Sequence, residues 1–158
     1  VDAIALDGIE RLLKSLGTLV TTPADRDARW NVMMGALQGG LSMWKGLGIA
    51  HALSIPLDAF DLHHGTLVGM LLPEAVRFAR PAAPEKVARL DELLGGPADK
   101  KIAALNRTLD LPEKLSQMGV PQAALEGVAQ AASGSVFNKS ATRPATAAQY
   151  LEILQRMY

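Results

Sequence analysis

The chain has 158 residues, which is long enough to bury one substantial core and predicts a single domain. Sixteen Lys and Arg residues balance sixteen Asp and Glu residues, so the formal charge is zero and nucleic acid is disfavoured as a partner. The absence of cysteine excludes a disulfide framework and a thiolate metal site. Because we find no apolar stretch long enough to cross a bilayer and no signal peptide, we expect a cytoplasmic protein without a membrane partner.

Apolar residues recur at helical spacing along nearly the whole chain, and no segment alternates with period two. This pattern predicts an all-α fold, a helical bundle. The first helix is predicted over residues 2–16, ended by Gly17, and a long second helix over residues 23–53, capped by Thr22. The later part of that helix is rich in glycine, which allows close helix packing, so residues 35–53 should be among the most buried.

Proline and glycine divide the rest of the chain. Pro56 predicts the end of the long helix and a loop as far as about His63, and Pro73 predicts a kink in the helix that follows over residues 65–79. Thr146 and Gln149 predict a capping box before the last helix. Between these elements, three shorter helices are predicted at residues 84–94, 98–109 and 121–133.

All three histidines of the chain fall between His51 and His64. Thirteen residues separate these two, too far for one helix face, but a helix, a loop and a second helix start can bring them together. Imidazoles from neighbouring elements, completed by a carboxylate, are a common way to hold a divalent metal. The alternatives are a hydrogen-bonded core histidine and a solvent-exposed histidine at a helix start. Asp58 and Asp61 in the loop are either further ligands or turn-forming residues.

Two segments around these histidines carry a family motif. Residues 46–53 read Gly-Leu-Gly-Ile-Ala-His-Ala-Leu, and residues 64–73 read His-Gly-Thr-Leu-Val-Gly-Met-Leu-Leu-Pro. They resemble the signature of the iron-containing (group III) alcohol dehydrogenases, in which a GxxHAxxH helix is followed by a PHG turn and a helix carrying LLP. Residues 2–9, 25–29 and 143–146 resemble further segments of that family in the same order, so the resemblance is collinear over nearly the whole chain.

The resemblance implies that residues 1–158 are the C-terminal, all-helical, dehydroquinate synthase-like domain of a two-domain oxidoreductase, with the N-terminal nucleotide-binding α/β domain absent from this chain. It implies hydride transfer between NAD or NADP and a small-molecule alcohol or aldehyde. It also implies a divalent metal, Fe(II) or Zn(II), held by one Asp and three His. His51 and His64 match two of these metal ligands. The full-length enzyme is expected to be a homo-oligomer, and this chain alone is expected to be inactive.

The other two ligands of the family come from an upstream DAxxH helix. Asp2 does not match it, because Leu6 stands four residues later, so these ligands are expected outside the chain. Two further positions depart from the family pattern: Ile55 stands where a second histidine is frequent, and His63 stands where proline is usual. The first departure weakens the usual proton relay, and the second leaves open whether His63 substitutes for His64.

Two alternatives stay open from the sequence. One is a reductase similar to maleylacetate reductase, which works without metal and in which the histidines bind an anionic substrate. The other is a non-catalytic helical interaction module whose exposed apolar faces bind a partner. The metal hypothesis requires the imidazoles of His51 and His64 to lie within about 8 Å of each other. If the chain is one domain of a larger enzyme, we also expect an exposed apolar patch near the histidines, where the second domain would pack.

Overall fold

The computed structural model describes all 158 residues, and they form helices joined by turns, without a β-strand. The predicted all-α class is therefore confirmed. None of the helices combines the length and apolar character that crossing a membrane requires. The α-helices are α1 (Asp2–Thr21), α2 (Arg26–Ser42), α3 (Gly48–Leu57), α4 (His64–Ala79), α5 (Pro84–Leu94), α6 (Ala98–Thr108), α7 (Leu125–Gly134), α8 (Val136–Lys139) and α9 (Ala147–Arg156). Short 3-10 turns occupy Met43–Lys45, Asp58–Phe60, Leu115–Met118 and Gln122–Ala124.

The chain forms two compact units, residues 1–46 and residues 47–158. The first unit consists of α1 and α2 packed along each other. Gly8 and Gly35 are buried where the two helices meet, and a Cβ on Gly35 would lie 2.8 Å from Cγ of Leu12 and 2.9 Å from the carbonyl oxygen of Gly8. The absence of a side chain at Gly35 is therefore what permits this close approach of the two backbones.

A polar contact also joins the two helices of this unit. The carboxylate of Asp7 accepts hydrogen bonds from Gln38 of α2 and from Arg11 one turn later on α1, and Arg11 reaches across to Asn31 at 3.0 Å. The hydrogen bond from Gln38, followed by that from Arg11, holds the pKa of Asp7 below its usual value. The charged form of Asp7 is therefore favoured where it links α1 to α2.

Several predictions for the N-terminal region were wrong. The first helix continues through Gly17 to Thr21, since one glycine inside an otherwise good helix costs only about 1 kcal/mol. Asp25, not Thr22, caps α2: its carboxylate accepts a hydrogen bond of 2.8 Å from the Ala28 amide.

The long helix predicted over residues 23–53 is in fact two helices. It is interrupted by the 3-10 turn Met43–Lys45 and by Gly46 and Gly48, whose φ angles of +93° and +68° favour glycine. The side chain of Trp44 is 93% exposed in this interruption, so residues 35–53 are not uniformly buried. Burial is concentrated in α3, whose Ala52, Leu53 and Leu57 are within 1% of full burial.

Helix α3 is the centre of the second unit and packs against α4, α7 and α8. Around it, α9 packs on α7, and α6 packs on both α4 and α5. The predicted helix over residues 84–94 is confirmed as α5. Pro84 occupies its first turn, and Gly95 ends it in the left-handed conformation. The capping box of Thr146 and Gln149 is confirmed as well. The largest fully buried side chains are Tyr150, Leu53, Leu57, Leu67, Leu71, Leu115, Ile153 and Leu154.

Two prolines lie inside helices of this unit. The helix end predicted at Pro56 falls one residue later, at Leu57, so the proline lies in the last turn of α3. Pro73 lies inside α4 and has no amide hydrogen for the carbonyl of Gly69, four residues earlier. The side-chain amide of Asn106 in α6 donates to that carbonyl at 2.7 Å. A hydrogen bond between helices thus replaces the one that proline removes.

Asn138 connects the C-terminal elements through a buried polar network. Its amide nitrogen donates to the carbonyls of Ser133 and Ala145, each at 2.9 Å. Its amide oxygen accepts from the Ala145 amide at 2.8 Å and from the Tyr150 hydroxyl at 2.9 Å. Burial raises the pKa of Tyr150, so its hydroxyl keeps the hydrogen that it donates. Because every hydrogen-bonding atom of the Asn138 side chain is satisfied, its burial is tolerated.

The close packing at Gly35 can be tested against a glycine without neighbours. Gly35→Ala places a methyl group against Leu12 and the Gly8 carbonyl, and we expect a loss of about 1–3 kcal/mol in the free energy of unfolding. Gly39→Ala on the same helix meets nothing within 4 Å and should be neutral or stabilising, by up to about 1 kcal/mol. Urea titration followed by circular dichroism measures both, and equal effects of the two variants would contradict the packing described here.

The Asn138 network predicts a graded loss of stability. Asn138→Ala removes the partners of the Ala145 amide and carbonyl together with that of Tyr150, and we expect a loss of about 2–4 kcal/mol in the free energy of unfolding. Tyr150→Phe removes one donor and leaves Asn138 bonded to Ala145, so about 1 kcal/mol is expected. If Tyr150→Phe proves the more damaging of the two in the same urea titration, Asn138 is not the centre of the network.

Candidate metal centre

His51 is held in place by the burial of the helix that carries it. It lies in the middle of α3 between Ala50 and Ala52, both buried, and its own side chain is half-buried. Burial lowers the pKa of His51 below its ordinary value, and the neighbouring His64 lowers it further, while the backbone of Leu47, one turn earlier, acts in the opposite direction. The neutral ring is therefore favoured, and a neutral imidazole is the form that binds metal.

His64 begins α4, and its ring approaches that of His51 with the ring centres 5.4 Å apart and the planes inclined by 55°. The prediction that the two imidazoles converge is met. Two imidazoles bound to one ion at about 2.1 Å, at a tetrahedral angle, have ring centres about 5.2 Å apart. The arrangement of His51 and His64 thus fits a shared divalent ion, although their role as metal ligands stays a prediction.

Two further side chains adjoin the pair: Asp58, which the sequence offered as a ligand or a turn residue, and Phe137, which it did not single out. Asp58, at the end of α3, lies with its Oδ1 3.4 Å from Nδ1 of His64. The ring of Phe137 on α8 lies 6.0 Å from that of His51, inclined by 55°, and forms an aromatic wall beside it. Asp58 was considered from the sequence only as a ligand or a turn residue. Phe137 lies 86 residues from His51, and no sequence signal connects the two.

His63 has a structural role that separates it from His64. It is the N-cap of α4, where its Nδ1 accepts a hydrogen bond of 3.2 Å from the Thr66 amide and lies 3.0 Å from the Thr66 hydroxyl. A Cβ on Gly65 would come within 3.2 Å of the His63 ring. Gly65 therefore makes room for the capping ring. The Nδ1 atom of His63 is therefore engaged in capping α4.

The ligand set within the chain is small. No group of three or more His, Asp or Glu side chains is arranged to hold a metal ion. Asp61 ends the 3-10 turn Asp58–Phe60 in the left-handed conformation, with φ 55°, and so acts as a turn residue. Among the ligand candidates from the sequence, the structure brings together His51 and His64, with the carboxylate of Asp58 beside His64.

Apolar side chains are exposed both beside the histidines and elsewhere. Ile55, one turn after His51, is 46% exposed, and Val136, next to Phe137, is 67% exposed. A longer exposed stripe runs along α2 and the turn that follows it, formed by Trp30, Met33, Leu37, Leu41 and Trp44. The exposed apolar surface expected near the histidines is present but small, and the larger one lies in the first unit.

Comparison with known proteins identifies the class of protein that this fold and site define. The family model for the C-terminal part of the Fe-containing alcohol dehydrogenase family matches residues 1–158, the whole chain. The chain therefore belongs to the iron-containing alcohol dehydrogenase family, as the motifs around His51 and His64 had indicated.

Among curated relatives, the 4-hydroxybutyrate dehydrogenase of Cupriavidus necator is 34% identical over 98% of this chain and 44% of its own length. The 1,3-propanediol dehydrogenase of Klebsiella pneumoniae is 30% identical over 87% of this chain and 40% of its own. A maleylacetate reductase of Sphingobium indicum is 30% identical over 99% of this chain and 45% of its own. The chain thus spans less than half the length of these relatives, and each of them is an oxidoreductase.

Solved structures agree with this assignment. The crystal structure of a 1,3-propanediol oxidoreductase superposes on 99% of this chain and 45% of its own with a TM-score of 0.95, at 24% identity, which establishes the fold. A maleylacetate reductase from a Rhizobium strain superposes over the same share of both chains with a TM-score of 0.89, at 26% identity. The helical arrangement is therefore shared by proteins that are named for different activities.

The capping role of His63 predicts that its replacement depends on capping ability. His63→Ala should lower the free energy of unfolding by about 1 kcal/mol, because the Thr66 amide loses its acceptor. His63→Asn supplies a favourable cap and should stay close to the original protein. Urea titration measures both variants. If alanine and asparagine are equivalent at this position, the His63 ring does not stabilise α4 as a cap.

Proposed function

We propose that this chain is the metal-binding helical domain of an NAD(P)-dependent alcohol dehydrogenase or aldehyde reductase, with His51 and His64 as two of the metal ligands. The observation that carries the proposal is the convergence of their rings, with centres 5.4 Å apart, in a member of the iron-containing alcohol dehydrogenase family. The remaining ligands, and the α/β domain that binds NAD or NADP, are proposed to lie outside these 158 residues. The complete enzyme is proposed to be a cytoplasmic homo-oligomer.

The donor set decides which ions suit the site. Two imidazoles without any thiolate favour a borderline divalent ion such as Fe(II) or Zn(II) over a hard ion such as Mg²⁺. When bound, such an ion supplies Lewis-acid polarisation of the alcohol or carbonyl oxygen, beside which the nicotinamide exchanges hydride. Two imidazoles leave further coordination positions unfilled and offset none of the charge of the ion. The chain alone should therefore hold it loosely.

Two features of this chain prepare the site, and a third limits its proton chemistry. Burial keeps the His51 ring neutral, so that a nitrogen lone pair is available. Phe137 closes one side of the His51 ring and limits the access of water. Ile55, one helical turn after His51, has no titratable group, and so a proton released by an alcohol would have to leave through another group or through water.

The substrate class is proposed to be a small alcohol or aldehyde. The names of the relatives supply a panel for testing: 4-hydroxybutyrate and 1,3-propanediol. Both of these carry polar groups at both ends. A panel that compares them with simple alcohols would reveal whether the second polar group is recognised.

A second candidate function is a metal-free reductase related to the maleylacetate reductases. It is favoured by the 30% identity to the Sphingobium indicum enzyme and by Ile55, which departs from the family pattern of histidines. In that case His51 and His64 would contact an anionic substrate in place of a metal. Metal content separates the two candidates directly.

The exposed stripe on α2 gives a reason to place the chain within a larger protein. Its five apolar members follow one another at intervals of three or four residues, which places the four that belong to α2 on one side of that helix, and Trp44 follows in the 3-10 turn. Exposed apolar surfaces of this kind mark interaction sites, and we propose that other parts of the same polypeptide cover it. The alternative of a free-standing helical module requires that a separate protein binds there.

The metal assignment is tested in the complete polypeptide that contains this chain, with a histidine control from the same turn. Plasma mass spectrometry should find about one divalent ion per chain. His51→Ala and His64→Ala should each reduce metal content to below about a tenth of that value and abolish NAD(P)H-linked turnover of the substrate panel. His63→Asn, which retains the helix cap, should keep both the metal and the activity.

Other results would support the rival functions. The enzyme would be a metal-free reductase if the wild type contains no metal and resists chelators. In that case the His51 and His64 variants should lose only affinity for anionic substrates. A coding sequence without a nucleotide-binding region ahead of Val1, together with no turnover, would indicate an interaction module.

A further inference from the structure

The nitrogen that His64 presents to the site depends on what its other nitrogen contacts. A neutral imidazole carries its hydrogen on either Nδ1 or Nε2, and only the nitrogen without the hydrogen has a lone pair for a metal. The nearest acceptor on the Nδ1 side is the carboxylate of Asp58, with Oδ1 at 3.4 Å. An acceptor there favours the tautomer with hydrogen on Nδ1.

The turn between α3 and α4 brings Asp58 to this position. Asp58 follows Leu57 at the end of α3 with helical angles of −60° and −20°, so it continues the path of a helix whose residues are buried in the core. Asp61 then adopts the left-handed backbone conformation, at which the chain changes direction. His64 begins α4 six residues after Asp58. The backbone geometry of the turn therefore sets the contact between the carboxylate and the ring.

His51 is the proposed partner of His64 at the ion. The two rings lie with centres 5.4 Å apart, and the carboxylate of Asp58 is an acceptor on one nitrogen of His64. Such outer acceptors fix the tautomer and the orientation of histidines that bind metals.

We propose that Asp58 is a positioning residue that keeps the ring hydrogen of His64 on Nδ1 and presents Nε2 to the ion. The role of the ion rests on the function proposed above, whereas the tautomer is a property of the metal-free chain. Asp61 lies in the same turn, where it occupies the left-handed backbone conformation. We expect that its carboxylate does not affect the His64 ring.

The tautomer is measured in the 158-residue chain labelled with ¹⁵N-histidine, without metal, at a pH about two units above the ordinary pKa of imidazole. Long-range ¹H–¹⁵N correlation should show His64 mainly with its hydrogen on Nδ1. In Asp58→Ala, whose helical backbone angles suit alanine, the population should shift to the Nε2 hydrogen form. Asp58→Asn retains an acceptor oxygen and should preserve much of the original tautomer.

Asp61→Asn is the matched control, because it removes the same charge from the same turn and asparagine tolerates the left-handed conformation. It should leave the His64 tautomer unchanged. The proposal is overturned if His64 in the original chain carries its hydrogen on Nε2, or if Asp58→Ala and Asp61→Asn give the same spectrum.

Zinc affinity provides a second readout. In a calorimetric titration with Zn²⁺, Asp58→Ala should weaken binding roughly tenfold relative to Asp61→Asn. A loss of affinity without a change in tautomer would show that Asp58 binds the ion directly, which contradicts the positioning role. If none of the proteins, including the complete polypeptide, binds Zn²⁺ or Fe²⁺, the proposed metal function fails, and the tautomer alone decides the role of Asp58.

Discussion

The burial of α3 is the constraint on which the rest of the second unit depends. Ala52, Leu53 and Leu57 are almost fully buried among α4, α7 and α8, and each large side chain contributes about 1.5–3 kcal/mol by leaving water. Rotation of the helix would expose these side chains. The position of His51 is thus set by its apolar neighbours, before any ion is considered.

The same core extends to the start of α4. Leu67, Met70 and Leu71 lie in it, and they determine where the first residue of that helix can be. His64 is that first residue, and His63 closes the helix as its cap. The separation of the two imidazoles is therefore a consequence of how α3 and α4 pack, and the proposed site is largely preorganised.

The position of Phe137, whose ring lies beside that of His51, depends on polar contacts. Phe137 belongs to α8, a helix of only four residues that could not stay folded without its neighbours. Asn138, the next residue, ties this helix to Ser133, to Ala145 and to Tyr150 of α9. The buried side chain of Asn138 thus holds the ring of Phe137 in place beside His51. A loss of the Asn138 hydrogen bonds would therefore affect the histidines through Phe137.

Local signals in the sequence were sufficient wherever a structural feature depends on residues close together in the chain. The helix Pro84–Leu94 follows from a proline in its first turn and a glycine after its end, and the capping box of Thr146 and Gln149 involves residues three positions apart. The family motif around His51 and His64 identified the candidate ligands for the same reason.

Only the tertiary structure decided the remaining features. Apolar periodicity continues through residues 43–47, so the break between α2 and α3 became visible only in the positive φ angles of Gly46 and Gly48. The contacts of Phe137 with His51 and of Asp58 with His64, and the capping role of His63, depend on side-chain directions that packing sets. Residue spacing specifies which helix face a side chain occupies, but the distance between two faces is determined by the core that holds the helices together.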